Sequence, residues 1–251
     1  MGVCALIRIR LGLFGLAVLL AWLAGCEPYA GPPRIVEDVS WKSDTPSPRV
    51  TPAPTLTSPS PTVASRGRRL AGRTIVVDPG HGGHDPGAGE AGFSPIPEKV
   101  IVLEIARDVE ELLRAEGAYV VMTRRDDRFV ELLDRAAVAD RTRADLLVSI
   151  HADSHRDSSI SGPTVYIARS ALAQSRRVAN SVHAAFRDAG IPCRGVRQAD
   201  FKVLAEHSRP AILVESGYLT NGHEARNLNS NWYRRKIATC VVDGIVRALG
   251  Q

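Results

Sequence analysis

The chain contains the stretch Ile75-Val76-Val77-Asp78-Pro79-Gly80-His81-Gly82-Gly83, a short apolar run that ends in a histidine set among glycines. A β-branched run followed at once by Pro and Gly is typical of a buried strand that passes into a loop. His81 therefore lies at the carboxyl end of a predicted strand. In open α/β sheets ligands bind outside those strand ends, so a chemically active side chain is expected there.

From residue 72 onward the chain alternates short apolar runs with segments of helical periodicity. This alternation predicts an α/β fold with a largely parallel sheet of about six strands flanked by helices. Further strands are predicted over residues 118–122, 146–150, 164–168 and 211–214, and helices over residues 99–116, 129–141, 171–188 and 232–249. The 129–141 helix is expected to carry Glu131, Asp134 and Arg135 on its exposed face.

Two more of the predicted strands lead into residues that can carry chemistry, His151 and Glu215. A proline places Glu98 at the start of the first helix, within reach of the same edge of the sheet. Two imidazoles and a carboxylate with an open fourth position are the ligands of catalytic zinc in several hydrolases. His81, Glu98 and His151 are therefore candidate ligands of Zn2+. Glu215 is the candidate base that takes up a proton.

Other residues compete for these roles. His84 lies three residues after His81 in the same loop, and Glu90 is the main competitor of Glu98. The glycines on both sides of His81 favour it over His84, because they allow close approach. Structural or surface positions are expected for Glu104, His155, His183, His207 and His223.

Several separate motifs resemble those of one known family. They are Asp78-Pro79-Gly80-His81-Gly82-Gly83, Asp85-Pro86-Gly87-Ala88, Glu98-Lys99, Ser149-Ile150-His151-Ala152-Asp153 and Val214-Glu215-Ser216-Gly217-Tyr218-Leu219-Thr220-Asn221. In this order they look like the motifs of the zinc-dependent N-acetylmuramoyl-L-alanine amidases. The resemblance covers nearly all of residues 72–250, which we take as the catalytic domain.

The resemblance implies a three-layer α/β sandwich in which His81, Glu98 and His151 hold Zn2+ and Glu215 is the catalytic carboxylate. It also implies the reaction, which is hydrolysis of the amide between the lactyl group of N-acetylmuramic acid and L-alanine in peptidoglycan. We expect a monomer. Two rival functions stay open. One is another zinc hydrolase on this scaffold, such as a peptidase or deacetylase, and the other is a non-catalytic wall-binding lipoprotein.

The chain departs from the family pattern in three places. Asp153 stands where the family commonly has Asn, and the loop at residues 90–97 is a few residues longer than usual. The segment at residues 154–161 is short, whereas some family members carry a helical insertion there that blocks the zinc. Its absence predicts an open, constitutively accessible site.

Residues 1–25 have the order of a secretory signal, with two arginines before an apolar run that is short for a membrane span. The run closes with Leu23-Ala24-Gly25-Cys26, which looks like the lipobox of bacterial lipoproteins. In those proteins the cysteine is lipidated and becomes the new N-terminus, so Cys26 is the expected membrane anchor. An ordinary cleaved signal or a single anchor helix is the alternative, and export to the cell envelope, periplasmic or extracytoplasmic, follows in each case.

Residues 26–70 contain nine of the 16 prolines of the chain, with Ser and Thr between many of them. Such a segment buries too little apolar surface to fold and favours extended polyproline II, so we interpret it as a tether. A tether of this length holds the catalytic domain clear of the membrane.

The net charge of the chain argues against one class of partner, and its cysteine content leaves disulfide pairing open. The formal net charge is +5, and loss of the two arginines of the leader leaves 30 Lys and Arg against 27 Asp and Glu. This weak bias, without a basic stripe, argues against nucleic acid as a partner.

Cys193 and Cys240 are the remaining mature cysteines besides Cys26, and in an exported protein they either pair or stay as isolated structural residues.

Overall fold

A computed structural model describes residues 68–88 and 94–251 of the chain. The predicted signal segment, nearly all of the predicted tether and Glu90 lie outside these residues. Within the described ranges, no helix combines the length and apolar character that crossing a membrane requires.

The described chain alternates strands and helices, as the hydrophobic pattern predicts. Most strand runs are apolar and buried, and the long helices present an apolar face to the sheet. In chain order the elements are β1 (Thr74–Pro79), α1 (Glu98–Ala115), β2 (Tyr119–Met122), α2 (Leu132–Arg141), β3 (Leu146–Asp153), β4 (Thr164–Ile167), α3 (Ala173–Asp188), β5 (Val196–Gln198), α4 (Lys202–Ala205), β6 (Ala211–Tyr218), α5 (Gly222–Leu228) and α6 (Asn231–Leu249).

The strands form one six-stranded sheet in the order β2-β1-β3-β6-β4-β5. All neighbouring pairs are parallel except β4 and β6, which run antiparallel. The predicted α/β class with a largely parallel sheet of about six strands is therefore confirmed. The chain moves from β1 to one side to form β2 and then to the other side to form β3, so the order reverses between β1 and β3. Such a switch point leaves a crevice at the strand ends where ligands bind.

Helices cover both faces of the sheet and give three layers. On one face α1, α3 and α6 pack into the larger apolar core, which includes Ile75, Val148 and Phe186. The other face carries a smaller core in which α2 and α4 pack on Leu147 and Leu213.

The fold begins slightly before the predicted domain boundary. Leu70, which the sequence analysis places at the end of the tether, is fully buried, and its N–H donates to the carbonyl of Glu116. Arg69 forms an ion pair with the Glu116 carboxylate at 2.6 Å. The backbone N–H of Gln251 donates to the Arg69 carbonyl, so the two ends of the described domain lie together.

Three elements were not predicted, namely β5, α4 and α5, and each has seven residues or fewer. Strands β3 and β6 are longer than predicted, which places His151 and Glu215 within the strands rather than just after them. Cys193 and Cys240 are both free thiols, so the predicted alternative of a disulfide is wrong and the alternative of isolated cysteines is confirmed.

Candidate metal centre

The candidate site lies at the carboxyl ends of β1, β3 and β6, which are adjacent in the sheet. His81 follows β1, while His151 and Glu215 are register partners on β3 and β6. Glu98 is the first residue of α1, directly after Pro97, whose fixed φ suits a helix start. The switch point of the sheet thus brings together all four predicted site residues.

The side chains of His81, Glu98 and His151 converge on one point. The Nε2 of His81 lies 3.0 Å from Oε1 of Glu98, and the Nδ1 of His151 lies 3.1 Å from the same oxygen. The two ring nitrogens are 3.2 Å apart. In the part of the chain that the structure describes, this is the one group of three His, Cys, Asp or Glu side chains close enough to share a cation.

These distances fit a tetrahedral zinc site. Ligand atoms bound about 2.1 Å from one ion at tetrahedral angles lie about 3.4 Å from each other. The observed triangle of atoms is within a few tenths of an ångström of that value. The donor set also fits, because two imidazole nitrogens and one carboxylate oxygen are the ligands that zinc accepts while keeping a fourth position open.

A second contact orients the His81 ring. Its Nδ1–H donates to Oδ2 of Asp85 at 2.8 Å, and the other Asp85 oxygen accepts from the N–H of Gly87 at 3.0 Å. A carboxylate can only accept, so this bond places the proton on Nδ1 and leaves a lone pair on Nε2 facing the centre. Burial acts to lower the pKa of His81, but the hydrogen bonds and charges of Glu98 and Asp85 outweigh it and raise that pKa.

Two glycines allow the close approach of the candidate ligands. A Cβ added to Gly80 would lie 2.1 Å from Cε1 of the His151 ring, and one added to Gly87 would lie 2.5 Å from Oε2 of Glu98. Any other residue at either position would displace a candidate ligand. His81 itself has a positive φ of 56°, a conformation that a non-glycine residue adopts only when its surroundings hold it there.

Glu98 is fixed by backbone donors on both oxygens. Oε1 accepts from the N–H of Ala152 at 2.9 Å, and Oε2 accepts from the N–H of Ala88 at 2.8 Å. Burial acts to raise the pKa of Glu98, but the interactions with the nearby rings of His151 and His81 outweigh it and hold that pKa well below its usual range. Glu98 is therefore an anion across the ordinary pH range.

Glu215 has a different environment although it lies beside His151. Its side chain is buried, and its Oε2 has no hydrogen-bond partner among the described residues. Burial raises the pKa of Glu215 well above its usual range, and the charges of Asp153 and Glu98 raise it further. One carboxylate at the centre is thus held as an anion while the other favours the protonated form, a division typical of acid–base sites.

An open cleft of about 450 Å³ contains the centre. His81, Glu98, His151, Glu215 and Asp153 all contribute to its walls. Asp153, the departure from the family pattern, lines this cleft, and its Oδ1 accepts from the N–H of the next residue at 2.7 Å. No helix lies between β3 and β4, where every residue is described, and the segment is mostly exposed.

The competing histidine and the other alternative side chains among the described residues lie outside this cluster. His84 is exposed and packs on the Phe129 ring with a centroid distance of 4.1 Å, so its ring does not join the cluster. Glu104 forms an exposed ion pair with Arg107, as expected for a surface position. None of His155, His183, His207 and His223 belongs to the group that could hold a metal ion.

Comparison with known proteins agrees with this geometry. The family model described as N-acetylmuramoyl-L-alanine amidase matches residues 75–247, which is more than half of the chain. The chain belongs to the N-acetylmuramoyl-L-alanine amidase family.

Individual family members are similar over the same part of the chain. The "Probable cell wall amidase LytH" of Staphylococcus epidermidis is 37% identical over 176 residues, which is 70% of this chain and 58% of LytH. The N-acetylmuramoyl-L-alanine amidase LytC of Bacillus subtilis is 37% identical over 179 residues, 70% of this chain and 36% of LytC. The chain thus spans only about half of the length of these relatives, or less.

The fold is shared with solved amidase structures. The catalytic domain of CwlV, an N-acetylmuramoyl-L-alanine amidase from Bacillus (Paenibacillus) polymyxa var. colistinus, matches with a TM-score of 0.65 and 39% identity. The match covers 70% of this chain and 97% of that domain. An N-acetylmuramoyl-L-alanine amidase from Clostridium difficile 630 matches with a TM-score of 0.66 and 32% identity over 70% of this chain and 95% of that one.

Two buried arginines of this amidase-family domain support the loop that presents His81. Arg124 donates through Nη2 to the Gly80 carbonyl at 2.6 Å and through Nε to the Pro79 carbonyl at 3.0 Å. Arg135 donates to the carbonyls of Pro79 and His81 at 2.6 and 2.7 Å. These bonds satisfy the backbone acceptors around the positive-φ histidine and so hold its unusual conformation.

The prediction that Arg135 lies on the exposed face of its helix is wrong. Its side chain is 2% exposed and forms an ion pair with Asp78 at 2.9 Å. Asp78 also accepts hydrogen bonds from the hydroxyls of Thr123 and Ser149. A signal was available in the sequence, because an aspartate inside an apolar strand is costly to bury without a cationic partner.

Proposed function

We propose that this chain is a zinc-dependent hydrolase that cleaves the amide between N-acetylmuramic acid and L-alanine in peptidoglycan. The convergence of His81, Glu98 and His151 beside the buried carboxyl of Glu215 is the observation that carries the proposal. Membership of the family supports it, as does the similarity to proteins named N-acetylmuramoyl-L-alanine amidase.

His81 Nε2, Glu98 Oε1 and His151 Nδ1 would hold the zinc ion. When bound, zinc supplies Lewis-acid polarisation of a carbonyl and acidifies water. The fixed carboxylate of Glu98 and the oriented ring of His81 keep the ligand atoms in place without rearrangement. This preorganisation lowers the cost of assembling the site.

Glu215 would move the proton in the reaction. Its carboxylate takes a proton from the attacking water and delivers it to the alanine nitrogen as the C–N bond breaks. Burial raises the pKa of this carboxyl above that of a free glutamate, which is the direction in which general acid–base carboxyls are tuned. No hydrogen bond from the described residues reaches Oε2, so none fixes the protonation state at that oxygen.

The site is accessible without displacement of a blocking element. The connection from β3 to β4 contains no helix, and the cleft is open to solvent. We therefore propose constitutive access of substrate to the metal centre.

An envelope location follows from this substrate. Relatives carry the name "probable cell wall amidase", and residues 1–25 have the order of a secretory signal that closes with the lipobox-like Leu23-Ala24-Gly25-Cys26. We propose that Cys26 is lipidated and that residues 26–70 tether the domain to the membrane. More than one acyl chain gives a lasting anchor, because each buried methylene contributes about 0.8 kcal/mol.

Digestion of purified sacculi, with products resolved by mass spectrometry, tests the proposed reaction. We expect intact glycan chains with free lactyl carboxyl groups, together with peptides that begin at L-alanine. A chelator should abolish the release and added zinc restore it. Glu215→Ala should keep the fold and the metal but release no peptide.

Two outcomes would overturn the proposal. Peptides cut internally or sugars freed of acetyl groups would identify a different zinc hydrolase. Binding to sacculi without any release by the wild-type protein would identify a non-catalytic wall-binding protein.

A further inference from the structure

The Glu98-Lys99 motif contains a residue to which the proposed mechanism gives no role. Glu98 is a candidate metal ligand, and Lys99 follows it in the first turn of α1. The Lys99 side chain is only 18% exposed, whereas lysine side chains usually extend into solvent. Its partners are therefore informative.

A tight turn separates the candidate ligand His81 from the carboxylate that orients it, Asp85. The N–H of Gly82 donates to the Asp85 carbonyl at 3.0 Å, and the N–H of Asp85 donates to the Gly82 carbonyl at 3.1 Å. Gly83, the first residue of the two-residue turn, has a positive φ of 59°. Because Asp85 ends the turn and binds the His81 ring, the conformation of the turn fixes that contact.

Lys99 and Asp127 bind both polar backbone groups of Gly83. The Nζ of Lys99 donates to the Gly83 carbonyl at 2.7 Å, and the Oδ1 of Asp127 accepts from the Gly83 N–H at 2.8 Å. The same Nζ also donates to Oδ2 of Asp127 at 2.7 Å. These three residues form a closed network, which we call the Gly83 clamp.

The backbone of Lys99 is bound to the same loop. Its N–H donates to the Pro86 carbonyl at 3.2 Å, and its carbonyl accepts from Nη2 of Arg124 at 2.9 Å. The same nitrogen of Arg124 donates to the Gly80 carbonyl at 2.6 Å. Backbone and side chain of Lys99 thus join the start of α1 to the loop on both sides of His81.

We propose that Lys99 is a positioning residue of the metal centre and that it acts through the Gly83 clamp. It fixes the separation between Glu98, which α1 carries, and His81, which the loop after β1 carries. The proposal rests on the proposed zinc-dependent function and adds a residue that prepares the site for the ion. Ligands that are already held in place bind a metal more tightly, because assembling the site costs less conformational entropy.

The charge of Lys99 distinguishes this role from a purely electrostatic one. A cation near the centre repels Zn2+, so removal of that charge alone would strengthen zinc binding. Positioning predicts the opposite, because loss of the ammonium group releases the turn at Gly83. The sign of the change in zinc affinity therefore decides between the two roles.

Competition with a chromophoric chelator measures the zinc affinity of purified variants. Lys99→Met keeps an aliphatic side chain and removes the ammonium group. It should lower zinc affinity about 10-fold, the lower end of the range for residues that support metal ligands. Lys99→Arg should recover part of the loss, because a guanidinium can donate to both the Gly83 carbonyl and the Asp127 carboxylate.

Asp127→Asn and Asp126→Asn form a matched pair of variants. Each removes one exposed carboxylate from neighbouring positions, but the Asp126 carboxylate lies 3.7 Å from Arg128 and takes no part in the Gly83 clamp. Asp127→Asn should lower zinc affinity, while Asp126→Asn should bind zinc like the wild type. Should Lys99→Met fail to fold, this pair still tests the clamp.

Hydrogen exchange of the metal-free protein reports on the turn itself. Backbone amides of residues 80–88 should exchange faster in Lys99→Met than in the wild type, while those of β3 should exchange at the wild-type rate. This measurement requires neither zinc nor substrate. It separates release of the turn from a general loss of stability, which would speed exchange in β3 as well.

An unchanged or higher zinc affinity in Lys99→Met would overturn the proposal, as would an equal loss of affinity in Asp127→Asn and Asp126→Asn. Unchanged exchange of residues 80–88 in Lys99→Met would also overturn it. A wild-type protein that binds no zinc would instead contradict the proposed function, so the two failures are distinguishable.

Discussion

Replacement of Arg135 by methionine should destabilise the domain strongly. The change removes the cation from the buried ion pair with Asp78 and the donors to the Pro79 and His81 carbonyls. Breaking a buried pair from one side costs about 3–5 kcal/mol, because the remaining charge stays buried without a partner. The free energy of unfolding of a typical domain is about 5–15 kcal/mol, so this cost is a large fraction of it.

Urea denaturation of the metal-free protein measures this cost as a lower unfolding midpoint, and a thermal melt should show a loss of about 6–20 °C. Arg141→Met is the matched control, because Arg141 lies on the same helix and is exposed, so its removal should change stability by about 0.5 kcal/mol or less. A loss below about 1 kcal/mol in Arg135→Met would refute the reasoning. It would mean that Asp78 and the two carbonyls find other partners at little cost.

Three further predictions concern the metal centre. Gly80→Ala should abolish metal binding in a protein that still melts cooperatively, because the added Cβ would lie 2.1 Å from the His151 ring. Metal content after dialysis measures this loss, and full metal occupancy of the variant would contradict the prediction. Asp85→Asn should weaken zinc affinity about 10–100-fold in chelator competition, because the contact that orients His81 is lost; wild-type affinity would show that this contact is dispensable. In the metal-free protein Glu215→Gln should be more stable than wild type at pH 8 but not at pH 4. Because burial raises the pKa of Glu215 in the folded state, the wild-type protein loses stability as the pH rises through that pKa. A difference in stability between the two proteins that does not change with pH would contradict this prediction.

The parts of the fold that could be predicted are those in which local pattern and tertiary structure agree. The run from Ile75 to Val77 is apolar because β1 is buried on both faces, and α1 shows helical spacing because one stripe of it packs on the sheet. The placement of the candidate site residues could be predicted for the same reason, since strand ends and a helix start are visible in the sequence. These side chains come together because the strands that carry them are adjacent in the sheet.

The rest depends on contacts distant in sequence. Strand β5 and helices α4 and α5 are short, and short elements are stabilised mainly by packing rather than by their own propensity. Arg135 was predicted to be exposed because charged residues on amphipathic helices usually are, but Asp78 lies 57 residues away and requires its charge. Whether two cysteines pair depends likewise on their separation in space, and Cys193 and Cys240 remain free.

The central claim is that His81, Glu98 and His151 hold one zinc ion. The zinc content of the purified protein, determined by elemental mass spectrometry, tests it most directly. Wild-type protein exposed to zinc and then dialysed should retain one zinc ion per chain, while His81→Ala, Glu98→Ala and His151→Ala should each retain almost none. His84→Ala is the matched control and should bind zinc like the wild type, since its ring lies outside the cluster. A wild-type protein without zinc, or ligand variants that retain it fully, would contradict the account.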